Sequence, residues 1–225
     1  MILTISNVIP DHDLADIRKD MEKLQWRDGA ETAGGMARIV KRNEQADLSS
    51  QIGKRLRERF QAALTSHPVV TSFARPLKFT RPMISRTRDG GGYGLHVDNP
   101  FMGSGAQHLR TDLSFTLFLN SPEDYEGGEL SIEHSGSTQN IKENAGDVVI
   151  YPSTSLHQVK PVTSGERLVC IGWIESHVRS AEHREILFDL DNLKAELGKT
   201  HKPTSGELLM LSKTLANLKR MWMGN

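Results

Sequence analysis

The chain has 225 residues, enough for one sizeable core, and its 28 basic and 28 acidic residues cancel to a formal net charge of zero. That balance leaves no global field to hold nucleic acid or an anionic membrane. A single cysteine, Cys170, excludes an intramolecular disulfide framework and a Cys-based zinc cluster, which fits a reducing compartment and makes the cytoplasm the expected location.

The N-terminus turns polar within a few residues and has no basic leader before a long apolar run, so it does not read as a secretory signal. Nowhere do eighteen consecutive apolar residues occur to span a bilayer. Leu3 to Ile9 reads as a short strand. Leu14, Ile17, Met21 and Leu24 then repeat at helical spacing, with Asp11 or Asp13 as the expected N-cap and Trp26 closing the helix onto the core. Leu48, Ile52, Leu56, Phe60 and Leu64 form a second stripe, and the run Lys54, Arg55, Arg57, Glu58 and Arg59 reads as its solvated face rather than a nucleic-acid site. Gly34-Gly35 and His67-Pro68 mark breaks on either side.

From about Val69 to Glu175 short β-rich runs alternate with Gly, Pro, Asn and Ser, the pattern of a sandwich or jelly roll. Leu113, Phe115, Leu117 and Leu119 alternate with Ser114, Thr116 and Phe118, which predicts a strand with one fully apolar face. Further strands are expected over Val148 to Tyr151, Leu156 to Val159 and Arg167 to Ile174. After Ser176 two amphipathic helices are expected, one through Ile186, Leu187, Leu190, Leu193 and Leu197, the other through Leu208, Leu211, Leu215, Leu218 and Trp222. Gly198 and Pro203 between them predict a helical hairpin that packs on the barrel or, alternatively, on a second copy in a homo-oligomer. No internal repeat or low-complexity segment occurs.

Chemistry is concentrated in His96-Val97-Asp98, in His157 fifty-nine residues further on, and in Arg167 ten beyond that. Strand side chains alternate faces, so residues two apart can point to the same side. Two imidazoles and a carboxylate can occupy one triangular face of an octahedral Fe(II), leaving three positions for a chelating cosubstrate and dioxygen. The glycine-dense segment Arg88 to Gly94 leads directly into His96 and reads as a place where backbone approaches a ligand closely, the alternative being a flexible hairpin turn.

His157 alone could be an ordinary core histidine. Arg167 shifts that balance, because it lies on the expected partner of the His157 strand, among apolar neighbours where an unpaired guanidinium is costly. It calls for an anion, either the far carboxylate of a dicarboxylate cosubstrate or an internal salt-bridge partner. The nearest competing pair, His108 with Asp112, has spacing that does not put both on one strand face. Arg81, Arg86, Arg88 and Arg110 read as scattered surface arginines, and Phe101 and Met102 either line an entrance or cover the barrel. The primary substrate is not legible.

These residues resemble the iron(II)- and 2-oxoglutarate-dependent dioxygenases of the prolyl 4-hydroxylase type. The matching elements are Gly91-x-Tyr93-x-x-His96-x-Asp98, Glu126-Gly127-Gly128-Glu129-Leu130, and Gly146-Asp147 leading through Pro152-Ser153 to His157, Val162, Gly165 and Arg167. Arg110 to Ser114, Trp173 to Ser176 and Leu187 to Leu190 make the chain more narrowly similar to the bacterial PKHD-type hydroxylases. The resemblance implies a mainly β protein with flanking helices: a double-stranded β-helix (jelly roll) core plus a C-terminal helical hairpin.

It also implies iron, Fe(2+), held by His96, Asp98 and His157, with 2-oxoglutarate anchored by Arg167. The implied reaction consumes dioxygen, decarboxylates 2-oxoglutarate to succinate and carbon dioxide, and hydroxylates an unidentified substrate. L-ascorbate (vitamin C) as reductant and a link to iron homeostasis come with the resemblance alone. Relatives often carry tyrosine where this chain has Thr87, so Tyr93, Thr87 and Thr116 are the candidates for a second hydroxyl contact to the cosubstrate. The expected organisation is 1–77 as helices and strands supporting the barrel, 78–177 as the dioxygenase domain and 178–225 as the helical segment. Two other readings use the same residues: a non-catalytic iron or 2-oxoglutarate sensor, and a cupin-like metal protein, which often adds a further metal ligand.

Overall fold

The computed structural model describes residues 1–32, 38–105, 108–134 and 136–224; the Gly34-Gly35 break lies outside them. Strand β1 (Leu3–Ile5) is shorter than expected, and Asn7 comes soon after in the left-handed region at φ 58°. Helix α1 (Asp11–Met21) is entered through Pro10, extended and without a side-chain cap. Asp11 and Asp13 therefore do not cap it. They sit in its first turn, where carboxylates meet the positive end of the helix dipole.

Short strands β2 (Trp26–Asp28), β3 (Lys41–Arg42) and β4 (Glu44–Ala46) precede α2 (Gln51–Ser66). Ser50 caps α2 by accepting from the Gly53 amide at 3.1 Å. Leu48 lies before the helix, its backbone pressed on Gly53 so closely that a Cβ there would sit 2.5 Å from the Leu48 Cα. The stripe Leu56, Phe60 and Leu64 is buried, while Arg55 and Arg59 on the basic run pair with Asp20 and Asp13 of α1. His67-Pro68 does break the chain, but the next element is a helix, α3 (Pro68–Ala74), rather than the expected onset of β structure. Proline suits the first helical position because its missing N–H would be unbonded there anyway.

Strands β5 (Pro76–Phe79), β6 (Met83–Arg88), β7 (Gly92–His96), β8 (Phe101–Met102), β9 (Leu109–Arg110) and β10 (Leu113–Phe118) come next. The remaining strands are β11 (Tyr125–Gly127), β12 (Leu130–His134), β13 (Ser137–Ile141), β14 (Val148–Pro152), β15 (His157–Val159) and β16 (Val162–Ser176). The larger antiparallel sheet runs β1-β14-β10-β16-β6-β4-β2, with β11 and β5 pairing opposite ends of the long β16. The smaller runs β13-β12-β15-β7-β3, and β8 and β9 form a ribbon.

Period-2 alternation on β10 explains the layering. Leu113, Phe115 and Leu117 join the core shared with α1, α2 and α3, while Phe118 faces Leu130, Ile132 and Ile141 of the smaller sheet. Both faces of β10 are thus buried, and the two sheets close as a double-stranded β-helix. One expectation fails: β15 pairs with β12 and β7, whereas β16 pairs with β10 and β6, so His157 and Arg167 lie on opposite sheets. The connection passes Pro161, which has no N–H to donate to a ladder, and the chain crosses between sheets instead of turning back as a hairpin.

Helices α4 (Ala181–Leu197) and α5 (Gly206–Trp222) form the expected hairpin, capped by Ser180 and Ser205. It packs on its own chain: Leu187, Leu215 and Val178 are buried together, and Phe188 meets Phe73 of α3 edge to face at 5.3 Å. Ile186 and Leu193, expected within the buried stripe, are 44% and 48% exposed. Among the described residues no helix is long and apolar enough to cross a membrane.

Candidate active site

Strand pairing assembles the centre. His96 ends β7 and lies directly opposite His157, which opens the antiparallel β15, while Asp98 comes two residues after His96. The His96 Nε2 is 4.0 Å from one Asp98 carboxylate oxygen and the His157 Nε2 is 3.8 Å from the other. The three donor atoms lie within 4.8 Å of one another, and among the described residues no other such grouping of His, Cys, Asp or Glu occurs. The further ligand that a cupin-like site often adds is not part of it.

Each imidazole is oriented through its other nitrogen. The His96 Nδ1 lies 2.7 Å from the Gly94 carbonyl and the His157 Nδ1 3.0 Å from that of Ser155. A carbonyl only accepts, so the proton resides on Nδ1 and the Nε2 lone pair points into the cluster. Burial, with His157 beside it, pulls the His96 imidazole down to about 4, against the opposing pull of the Gly94 carbonyl and Asp98. The ring is neutral at pH 7 and no proton competes there with a metal. Tyr93 stacks on His96 at 3.6 Å, and Ser114 Oγ donates to Asp98 at 2.5 Å while touching Ser153 Oγ at 2.7 Å. Two imidazole nitrogens and one carboxylate, all held by hydrogen bonds and covered on one side, fit a divalent first-row metal such as Fe(II).

Arg167 faces this cluster from the larger sheet, 2% exposed and opposite Thr87 in register. Among the described residues no carboxylate pairs with it, and its Nε and Nη2 have no hydrogen-bond partner, so an internal salt bridge does not account for it. Burial lowers its pKa, and the Tyr125 and Tyr151 phenols oppose that shift. A buried guanidinium in this state favours an anion. Gly128, at φ +70°, explains part of the Gly127-Gly128 motif: a Cβ there would lie 2.9 Å from the Tyr125 ring and 3.1 Å from the Arg167 Cδ.

One cavity of about 60 Å³ touches His96, Asp98, His157 and Arg167. That is space for a few waters or a small ligand. Thr87, Tyr93 and Thr116 all line it. So do Tyr151, Ser114 and Lys41, which sequence reasoning did not single out as site residues. Tyr151 and Ser114 had a signal, since both lie on strands read correctly and period 2 sets their faces; Lys41, on a two-residue strand, had none. Burial raises the Tyr93 phenol to about 12 and pushes Tyr151 up as well, so both remain protonated donors. Burial draws the Lys41 ammonium down to about 8, opposed by Asp28 and Asp98.

Three of the four surface arginines and the competing pair are accounted for elsewhere. Arg86 and Arg88 share Glu44, and Arg110 grips Asp112 with two bonds of 2.7 and 2.8 Å. Asp112 also accepts from the Ser176 amide, and His108 stacks on the half-exposed Phe101, so the competing His108–Asp112 pair does not form.

Residues 82–175 match the model of the 2OG-Fe(II) oxygenase superfamily. A PKHD-type hydroxylase of Hyphomonas neptunium (strain ATCC 15444) is 54% identical over 98% of this chain and 99% of its own length. Another, from Acaryochloris marina (strain MBIC 11017), is 43% identical over 99% of each. Among solved structures, a Trichoplax adhaerens prolyl hydroxylase in complex with a hypoxia inducible factor peptide fragment superposes with a TM-score of 0.60. It is 16% identical over 78% of this chain and 83% of that one, a likeness of fold.

Proposed function

Because the chain belongs to the PKHD-type hydroxylases of the 2OG-Fe(II) oxygenase superfamily, and so is a 2-oxoglutarate-dependent dioxygenase, we propose that His96, Asp98 and His157 hold its Fe(II) and that Arg167 anchors its 2-oxoglutarate. The observation that carries this assignment is the convergence, in one cavity, of a His-Asp-His cluster and a buried guanidinium that, among the described residues, lacks an acid partner. Bound there, iron with 2-oxoglutarate and dioxygen supplies the oxidising power, decarboxylating the cosubstrate to succinate and carbon dioxide and hydroxylating a C–H bond.

The chain's own residues position and protect. Arg167 forms paired, charge-assisted bonds to the distal carboxylate. Thr87, Thr116 and Tyr151 line the same cavity and offer hydroxyl donors to the cosubstrate. The Gly94 and Ser155 carbonyls fix the two rings, Ser114 fixes Asp98, and the Tyr93 ring covers His96.

The organisation 1–77, 78–177 and 178–225, a cytoplasmic location, ascorbate as reductant and a link to iron homeostasis complete the proposal. The exposed Leu193, Leu209 and Met210 of the helical hairpin supply a surface for a second copy. The test is anaerobic addition of Fe(II) and 2-oxoglutarate, read by the visible charge-transfer band of their chelate. His157→Ala abolishes the band, and Arg167→Ala raises the 2-oxoglutarate requirement by roughly 2–5 kcal/mol. A full band in the first variant, or unchanged affinity in the second, refutes the assignment.

A further inference from the structure

The basic run on α2 divides by face. Arg55 and Arg59 pair with carboxylates of α1, whereas Lys54 and Arg57, three apart, turn to a cleft shared with Gln45 of β4 and Arg81 just before β6. The cleft has a volume of about 530 Å³ and is separate from the catalytic cavity.

Its donors lack acceptors. The Arg57 Nε is enclosed without a hydrogen-bond partner, and so is the Nε2 of Gln45, a residue only 7% exposed. Among the described residues neither Arg57 nor Arg81 has an acid within ion-pair distance. Burial and then the neighbouring Arg81 charge both disfavour the charged form of Arg57, with Asp47 opposing them. The acids on the cleft are largely engaged: Asp47 pairs with Arg27 and accepts from the Ser49 amide, and Asp28 accepts from the Ala30 amide. Glu31 stands exposed on its wall. Two like charges that share one cleft with an unsatisfied amide favour an anion there.

We propose that this cleft binds a tetrahedral oxyanion, inorganic phosphate or a small phosphate monoester, between Arg57 and Arg81, with Lys54 and the Gln45 amide as further donors. Donors from several directions suit three or four phosphate oxygens better than the two of a planar carboxylate.

The experiment is calorimetric titration of the full chain with inorganic phosphate and, separately, glycerol 3-phosphate, in chloride buffer at constant ionic strength. Saturable binding is expected, weakened roughly ten- to a hundredfold by Arg57→Gln or Arg81→Gln, the loss of charge-assisted bonds. Lys19→Gln, an equal charge change on the 72%-exposed outer face of α1, leaves it unchanged. Arg81 is exposed, so its variant reports even if Arg57→Gln folds poorly. Tighter binding of the ester assigns a ligand with an organic body, and equal binding assigns the free anion; both support the site. Absence of saturable binding by either anion, equal weakening in Lys19→Gln, or selective loss in Arg167→Gln, which would put phosphate in the catalytic cavity, overturns it.

Discussion

Replacing Ser114 by alanine isolates the support under the carboxylate of the metal cluster. Ser114 is 2% exposed, and its hydroxyl donates to Asp98 at 2.5 Å and meets the Ser153 hydroxyl at 2.7 Å. A hydrogen bond to a charged acceptor contributes about 1.5–3 kcal/mol, so the orientation of Asp98 should weaken by that amount. Loss of such a supporting contact lowers metal affinity about 10- to 100-fold. Ser153 is left buried without its partner, which costs about 1 kcal/mol of fold stability as well. Anaerobic competition titration with Fe(II), beside a thermal melt of the metal-free protein, separates the two effects. Unchanged Fe(II) affinity in a variant whose melt shifts as expected would remove Asp98 from the metal site.

Gly128→Ala places a Cβ at φ +70°, costing about 1–2 kcal/mol for the left-handed conformation alone. Because the new atom presses on Tyr125 and Arg167, 2-oxoglutarate affinity should fall more than Fe(II) affinity; equal falls would show a general loss of fold. Asn120 donates to the Glu166 carbonyl at 2.7 Å and accepts from the Leu168 amide at 2.9 Å, bracketing Arg167. Asn120→Ala leaves both groups unpaired, at about 1–3 kcal/mol each, so Tm and cosubstrate affinity should drop together; intact binding in a destabilised variant would mean that Arg167 does not depend on this bracket. In the metal-free protein the His96 pKa is depressed to about 4, so between that value and the unfolded 6.5 the unfolded state binds more protons. His96 therefore contributes stability in full above about pH 6.5 and loses it as the pH falls toward 4. His96→Gln should flatten that part of the stability profile, and an unaltered profile in urea melts would assign the acid sensitivity elsewhere.

Much of the centre was legible because it rests on short-range rules. The turn signals before His157 and the alternation on β10 depend on strand geometry, and the structure obeys them; His96 closes β7 and Asp98 lies just beyond the strand end, so the loop after β7 rather than strand alternation brings its carboxylate to the cluster. The helical stripes of α2, α4 and α5 are equally local. The features that escaped were non-local or too short to show a period. Helix α3 is seven residues of partly β-prone composition, held by Pro68 at its start and by packing on α4. The pairing of β15 depends on where the chain crosses between sheets, so Arg167 reaches the cavity from the opposite wall rather than from an adjacent strand. Tyr125 and Lys41 enter the surroundings of the site through tertiary approach alone, from strands of three and two residues. The Pro10 entry to α1 escaped because acidic residues next to it are equally good first-turn residues and caps.

The most direct test is a crystal structure of the protein grown without oxygen in the presence of Fe(II) and 2-oxoglutarate. The account requires one metal ion bonded to His96 Nε2, His157 Nε2 and an Asp98 oxygen, with the distal carboxylate of the cosubstrate paired to Arg167. Iron bound elsewhere, or a cosubstrate whose far end leaves Arg167 without an anion, would contradict it.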